Sequence, residues 1–203
     1  MSKAKKELAS SFLTGGGGLH FEENVQASFV GLMLAGGYAP CLSNWPITKI
    51  KLQGRHADYN TDDLIVFTED NKSGRKRRLL GQVKHGAKIT AKDPIFKEVI
   101  QAAWSDFNNS EIFTKGRNGD VIGLITGPLN TTDIDSVRPL LERARQVEDH
   151  KEFFKDIALT KFTSDTTREK LEAFKVNLKI ANDNKDLAES DLHEFLKHFH
   201  LLS

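Results

Sequence analysis

The stretch DLIVFTEDNKSGRKRRLLGQVK, residues 63–84, decides the fold that we predict for this chain. Its two ends, DLIVF (63–67) and RLLGQVK (78–84), are short apolar runs with the length and composition of β-strands. The segment EDNKSGRK (69–76) between them is rich in the polar residues and glycine that form turns. The pattern therefore predicts two antiparallel strands joined as a β-hairpin.

A strand and a helix are predicted before this hairpin. ITKIKLQ (47–53) alternates between apolar and polar residues, which indicates a third strand. Apolar residues at helical spacing indicate a helix over residues 20–35, which the glycines at 36 and 37 end. The second half of this helix, FVGLMLA (29–35), is apolar on nearly every side, so we expect it to be buried.

The segments after the hairpin predict one more strand and a series of helices. Asp93 suits the N-cap of a helix and Pro94 its first position. GDVIGLITG (119–127) is predicted to be a buried strand. The helices expected after Pro128 cover about 134–148, 150–157, 166–181 and 189–199. The predicted fold class is α/β, an αβββαβ core of residues 14–130 followed by a helical extension, residues 131–203.

Composition limits the classes of protein that fit this chain. The 203 residues carry a formal net charge of +1, so any affinity for nucleic acid has to come from local patches. A single cysteine, Cys41, excludes an intrachain disulfide and a cysteine-based zinc cage, and it predicts a cytoplasmic protein. The apolar final residues leave two interpretations open: a fragment of a longer multidomain chain, or a last helix that docks on its own core.

The glycine run in TGGGGLHFEENVQASF (14–29) first suggests a phosphate-binding loop. No strand is predicted before it and no lysine follows it, so the Walker and dinucleotide-binding patterns both fail. We expect a flexible entry to the helix instead. Glu22 and Glu23 are predicted to lie in the first helical turn, either as ordinary helix-terminus acids or as metal ligands.

Three side chains of the hairpin form a candidate catalytic group. Gln82 and Lys84 are two residues apart on one strand, so both point to the same face. The hairpin can place Asp63 beside them, with Glu22 approaching from the helix. Carboxylate and amide oxygens bind Mg²⁺, and a nearby lysine can assist an attacking water. Taken alone the spacing is a weak signal, because a lysine on a strand usually points to solvent.

The order of elements and these residues resemble the PD-(D/E)xK nuclease superfamily in its Q-x-K variant, with a restriction-endonuclease-like core. G-G-G-G-x-x-F-E, D-D-L-I-V, Q-V-K-H and A-A-W-x-D-F also resemble the N-terminal endonuclease domains of bacterial anti-phage proteins. These are effectors of cyclic-oligonucleotide (CBASS) systems and nucleases fused to STAND-type NTPases. The likeness covers about residues 14–145.

The resemblance implies a metal-dependent endonuclease for double-stranded DNA in anti-phage defence, with Mg²⁺ or Mn²⁺ as cofactor. It implies that Asp63, or Asp62 as the near alternative, binds metal with Gln82 and Glu22, and that Lys84 is the catalytic lysine. Glu23 is the alternative to Glu22. It also implies a homo-oligomer as the active state, because cutting both strands needs two copies, and downstream NTPase or sensor domains in the full-length protein.

The glutamine departs from the acid that many members of the superfamily have at this position. A neutral amide removes one charge from the metal site, which argues against a tight two-metal arrangement. Two alternatives therefore stay open: a catalytically degenerate DNA-binding or oligomerisation module of the same fold, and a nuclease directed at RNA.

Other residues are assigned as follows. We expect the basic segment GRKRR (74–78) to lie at the hairpin tip beside the site, where it would contact DNA phosphates. The predicted DNA-binding residues are Arg75, Lys76, Arg77 and Arg78 of this segment, together with Lys88 farther along the chain. His85 and Trp104 are assigned structural roles, with phosphate contact as the alternative for His85. Arg143 and Arg145 are assigned to a solvated helix face, with a DNA-facing basic edge as the alternative. His193 and His198 are five residues apart and do not match a zinc-protease helix.

Overall fold

A computed structural model describes residues 17–54, 58–159 and 163–203 of this chain. Within these ranges it contains a five-stranded sheet and six helices, which confirms the predicted α/β class. Glycines 15 and 16 of the predicted entry loop, and residues 55–57 of the polar loop before the hairpin, lie outside the described residues. The elements are α1 (Gly17–Leu34), β1 (Ile47–Leu52), β2 (Leu64–Glu69), β3 (Lys76–Lys84), α2 (Pro94–Phe107), β4 (Val121–Thr126), α3 (Thr131–Gln146), α4 (His150–Ala158), α5 (Asp165–Ala181), α6 (Glu189–His198) and β5 (Phe199–Leu202).

The sheet has the strand order β1-β2-β3-β4-β5. β1, β2 and β3 are antiparallel neighbours, and the register pairs Leu64 with Gly81 and Glu69 with Lys76, so the predicted hairpin is confirmed. β4 and β5 then join in parallel. All six residues of β4 are buried, as expected for a strand covered on both faces.

One face of the sheet is covered by α1, which packs against β1 and β3. Phe29 of α1 is buried against Leu64, Val66 and Leu79 in an apolar cluster on this face. The predicted burial of the second half of α1 is wrong, because Leu34 is 80% exposed. A single helix on a sheet buries one stripe of side chains. Among the described residues no further layer covers the outer side of α1.

The other face is covered by α2 and by the helices that follow β4. Asp93 accepts a hydrogen bond from Phe96 N at 2.7 Å, which confirms the predicted cap of α2. Phe96 packs edge-on against Phe174 of α5 at 5.2 Å, and Phe107 against Phe195 of α6 at 5.4 Å, measured between ring centroids. The apolar interior on this face is therefore continuous across residue 131.

Strand β5 was missed by the sequence analysis. The predicted helix over 189–199 ends at His198, and Phe199–Leu202 pairs with β4 as a fifth strand. A four-residue strand directly after a helix has too short a pattern to be separated from that helix. Phe199 and Leu201 enter the core of the helical face. In the described part of the chain, no helix has the length and apolarity to cross a membrane.

Candidate functional site

Asp63 lies at the start of β2, directly opposite the end of β3. Because Leu64 pairs with Gly81, the residue before Leu64 faces Gln82 across the hairpin. Asp63 Oδ2 accepts hydrogen bonds from Gln82 Nε2 at 2.6 Å and from the Val83 backbone N–H at 2.7 Å. The Asp63 side chain is only 15% exposed. The predicted proximity of Asp63 and Gln82 follows from this register.

Lys84 joins the same group. Its Nζ lies 3.8 Å from Asp63 Oδ2 and 3.8 Å from Glu98 Oε1 on α2. Its side chain is 25% exposed, so the ammonium is held between two carboxylates at the rim of the sheet. Glu98 was not singled out from the sequence. A single acid on the polar side of an amphipathic helix has the same sequence pattern whether it contacts a site or only solvent.

Glu22 approaches Asp63 through a bridging amide. Gln26 Nε2 donates to Glu22 Oε1 at 2.9 Å and to the Asp63 backbone carbonyl at 3.1 Å. Glu22, not Glu23, therefore faces the site; Glu23 is 57% exposed and pairs with His20. The predicted position in the first helical turn is wrong, because α1 begins at Gly17 and has no acid in that turn.

The pKa values of two acids in this group are raised. The pKa of Asp63 is raised, first by burial and then by the charge of Asp62, against the opposing effects of Lys84, Val83 and Gln82. Burial also raises the pKa of Glu22, and the charge of Asp63 adds to that effect. Burial is the largest cause for both acids and nearby negative charge adds to it, so a bound cation would favour their ionised forms.

The side chains present fit a hard divalent cation in part. Asp63, Glu22 and Gln82 offer two carboxylates and one amide, the oxygen donors that Mg²⁺ prefers. Gln82 Oε1 is buried and has no hydrogen-bond partner among the described residues, and such an atom is costly to leave unpaired. Within the described ranges no group of three or more His, Cys, Asp or Glu residues is arranged to hold a metal. A site here would therefore depend on the amide.

The basic segment Arg75–Arg78 is not beside this group, so that predicted placement is wrong. Asp63 and Lys84 lie at the open end of the hairpin, whereas Glu69 pairs with Lys76 at the closed end. Five residues of strand separate the two ends, which is about 17 Å at the usual rise. The prediction failed because the segment is close to Gln82 and Lys84 in sequence only. A hairpin brings its two outer ends together and places its turn at the opposite end.

Two arginines of this segment are held inside the fold. Arg78 Nη2 lies 2.6 Å from Asp120 Oδ2, and the Asp120 side chain is only 3% exposed. Arg77 donates from Nε to the Gly119 carbonyl at 2.7 Å and from Nη1 to Ser43 Oγ at 3.0 Å. These contacts give both side chains structural partners, and contact of either with DNA stays a prediction.

The remaining basic residues of the prediction are on the surface. Arg75 lies over the Trp45 ring at 5.3 Å, and Lys76 Nζ lies 3.5 Å from Glu69 Oε2. Lys88 is exposed and follows Lys84 by four residues. Along the chain, Arg78 and Lys88 are the predicted DNA-binding residues nearest to the candidate site, each four residues away, from Gln82 and from Lys84 respectively.

The residues assigned structural roles pack accordingly. The His85 ring contacts Phe21 of α1 edge-on at 5.5 Å, and Trp104 stacks on Phe107 at 5.7 Å, measured between centroids. His198 is buried, with Nδ1 2.7 Å from the Asp120 carbonyl, while His193 packs on Phe153 at 4.8 Å. The two histidines therefore have separate partners.

The structure thus gathers Asp63, Gln82 and Lys84 at one end of the sheet and brings Glu22 to them through Gln26. Comparisons with protein-family models, with curated proteins and with solved structures found no match for this chain. Function therefore has to be inferred from the chemistry of these side chains.

Proposed function

We propose that this chain is a metal-dependent endonuclease that hydrolyses phosphodiester bonds in double-stranded DNA. The observation that carries the proposal is the contact group at the open end of the hairpin, where Gln82 Nε2 and Lys84 Nζ lie 2.6 and 3.8 Å from Asp63 Oδ2. It combines hard oxygen donors with one ammonium, as metal-assisted phosphodiester hydrolysis requires. The αβββαβ order, extended by β5, supports a restriction-endonuclease-like core.

Each side chain has a distinct role in this proposal. Asp63, Glu22 and the Gln82 amide oxygen hold Mg²⁺ or Mn²⁺. When bound, the ion stabilises negative charge on the scissile phosphate and lowers the pKa of a bound water. Lys84 holds the attacking water and offsets charge that develops on the phosphate. Glu98 and Asp63 keep the Lys84 ammonium in place.

The setting of the proposed activity is anti-phage defence in the cytoplasm. A duplex has two strands, so a double-strand cut requires two copies of this single site, and we propose a homo-oligomer as the active state. NTPase or sensor domains farther along the full-length protein would control that assembly. Lys88 is the first candidate for a phosphate contact beside the site.

A plasmid-cleavage assay tests the activity. We expect nicking and linearisation with Mg²⁺, loss of both in EDTA, and loss in Asp63→Ala and in Lys84→Ala. Lys97→Ala is the matched control, because Lys97 is an exposed lysine next to Glu98 on α2 and should leave cleavage unchanged. Cleavage that survives both site variants would contradict the assignment. A parallel assay with structured RNA separates DNA from RNA as the substrate.

One observation favours a second candidate, a degenerate module that binds DNA or self-associates. Asp63 Oδ2 already has Gln82, Val83 and Lys84 as partners, so the carboxylate is satisfied without a metal ion. In that case the chain binds duplex DNA equally well in EDTA, and it does not cut even when artificially dimerised. Metal-dependent cleavage excludes this candidate.

A further inference from the structure

On the face of the sheet that carries α1, cavities lie beside β4 and β5. α1 packs on β1 and β3, while α3 borders the far edge beside β5. Two adjoining cavities of about 640 and 600 Å³ lie in this space. Both are lined by Cys41, Arg145 and His200, so they adjoin at these residues, and we call the two cavities together the β5 groove.

Four arginines line the β5 groove; Arg117 lies 3.9 Å from Glu148, and the other three, Arg77, Arg138 and Arg145, are hydrogen-bonded to neutral oxygens. Arg77 Nε donates to the Gly119 carbonyl at 2.7 Å, and Arg145 Nη1 donates to the Phe199 carbonyl at 3.1 Å. Arg138 Nη2 donates to Ser203 Oγ at 2.6 Å. In the described part of the chain, none of the three forms an ion pair with a carboxylate. Each guanidinium has five N–H donors, so most of them remain available to a ligand.

The groove is electropositive because its arginines and Lys197 outnumber its two acids, Glu142 and Glu148, and burial partly removes two of the arginines from water. Burial lowers the pKa of Arg77 and of Arg145; Asp120 partly opposes the shift of Arg77, and Cys41 and then Glu142 partly oppose that of Arg145. The pKa of His200 is lowered to about 3, first by burial and then by Arg145 and Arg77. A half-buried cation without a carboxylate partner is unfavourable, and an anionic ligand removes that cost.

We propose that the β5 groove binds a small phosphate-bearing anion of about nucleotide size, held by Arg77, Arg138 and Arg145. Guanidinium groups match phosphate oxygens in pairs of parallel hydrogen bonds. Each cavity falls within the range of small-ligand pockets, roughly 300–1,000 Å³. Arg77 and Arg145 line one cavity and Arg138 and Arg145 the other, so Arg145 is the shared centre.

The walls of the groove favour a compact ligand over a nucleic-acid strand. Phe29, Leu141 and Leu202 give one cavity an apolar side that suits a ring or a hydrocarbon group attached to the phosphate. Glu142 and Glu148 stand exposed at the rim, where they repel an extended polyanion. The groove shares no lining residue with the Asp63 and Lys84 group, so the proposal does not depend on the nuclease activity.

Cys41 provides the test, because it is the only cysteine of the chain and lines both cavities. We expect pyrophosphate, at an ionic strength matched with sodium chloride, to slow the reaction of Cys41 with a maleimide in a saturable way. Calorimetric titration with pyrophosphate gives the same dissociation constant. In Arg145→Gln that constant rises roughly tenfold or more, the effect of losing one charge-assisted hydrogen bond.

Arg143→Gln is the matched control. Arg143 lies two residues earlier on α3, pairs with Asp156 outside the groove, and carries the same charge. It should leave the protection of Cys41 unchanged. If Arg145→Gln does not fold, as judged by circular dichroism, Arg138→Gln tests the same groove, and we expect a loss of pyrophosphate affinity of similar size.

Three results would overturn the proposal. The first is no protection and no heat of binding with millimolar pyrophosphate. The second is an equal loss of pyrophosphate affinity and Cys41 protection in Arg143→Gln, which would show that net charge, and not a specific site, causes the effect. The third is protection of Cys41 by a short single-stranded oligonucleotide in EDTA but not by pyrophosphate, which would make the groove a nucleic-acid surface.

Discussion

Divalent cations should stabilise this protein through the acids around Lys84. Burial raises the pKa of Glu22 and of Asp63; the charge of Asp62 adds to both shifts, that of Asp63 adds to the shift of Glu22, and Lys84 opposes both. An ion that binds only the folded chain adds RT ln(1 + [L]/Kd), about 1.4 kcal/mol at roughly ten times its Kd. For a chain of this length that corresponds to an increase in Tm of about 3–6 °C.

The assay is a thermal melt of the unaltered chain and of Asp63→Asn, in EDTA and across a Mg²⁺ titration at constant ionic strength. The increase should saturate in the unaltered chain and vanish in Asp63→Asn. In EDTA near neutral pH the variant should be at least as stable as its parent. The folded pKa of Asp63 is raised, so its stabilising contribution is present at low pH and is lost as the pH rises through that pKa.

Glu98→Gln is the control for this prediction. Glu98 contacts Lys84 from α2 and is 69% exposed, and it is not among the proposed ligands. It removes one negative charge beside the site and should keep the Mg²⁺ response. An equal response in Asp63→Asn, or no response in the unaltered chain at any Mg²⁺ concentration, would refute the metal site while leaving the fold intact.

Three further outcomes are expected. Lys84→Met should slow single-turnover cleavage by about 10²–10⁴-fold while the Mg²⁺ response of Tm persists; loss of that response would make Lys84 structural. Arg78→Met removes the guanidinium that pairs with the buried Asp120 carboxylate and leaves it the backbone N–H groups of residue 78 and Thr114; it should lower the free energy of unfolding by about 3 kcal/mol in urea titrations, and an unchanged midpoint would contradict this role. Because the pKa of His200 falls from 6.5 to about 3 on folding, its contribution to stability is present above pH 6.5 and is lost as the pH falls toward 3. Urea titrations at several pH values should show His200→Gln to be less acid-sensitive by about 1.4 kcal/mol per pH unit, and parallel curves would exclude this effect.

The candidate site was largely predictable because its parts are close in the sequence pattern of a hairpin. Alternation places Gln82 and Lys84 on one face of β3, and an antiparallel partner brings Asp63 to them. Glu98 and Gln26 were not predictable in the same way. Their contacts depend on where α2 and α1 pack over the end of the sheet, and a local sequence pattern does not predict that packing.

The same distinction explains the misplaced basic segment and the β5 groove. GRKRR was assigned by its position in the chain, whereas the length of the strands carries it to the far end of the hairpin. Arg145 has the sequence context of a solvated helix face. It becomes part of a cavity only because β5 adds an edge to the sheet beside α3, with the Phe199 carbonyl as its partner.

The sequence by itself determined the αβββαβ order, the hairpin formed by β2 and β3, and the shared face of Gln82 and Lys84. Those features depend on alternation and turn chemistry over a few residues, which are local. The tertiary structure decided which helix acid faces Asp63, which arginines are used inside the fold, and where the β5 groove opens. These depend on contacts between segments far apart in the chain, and no local pattern encodes the distances that result.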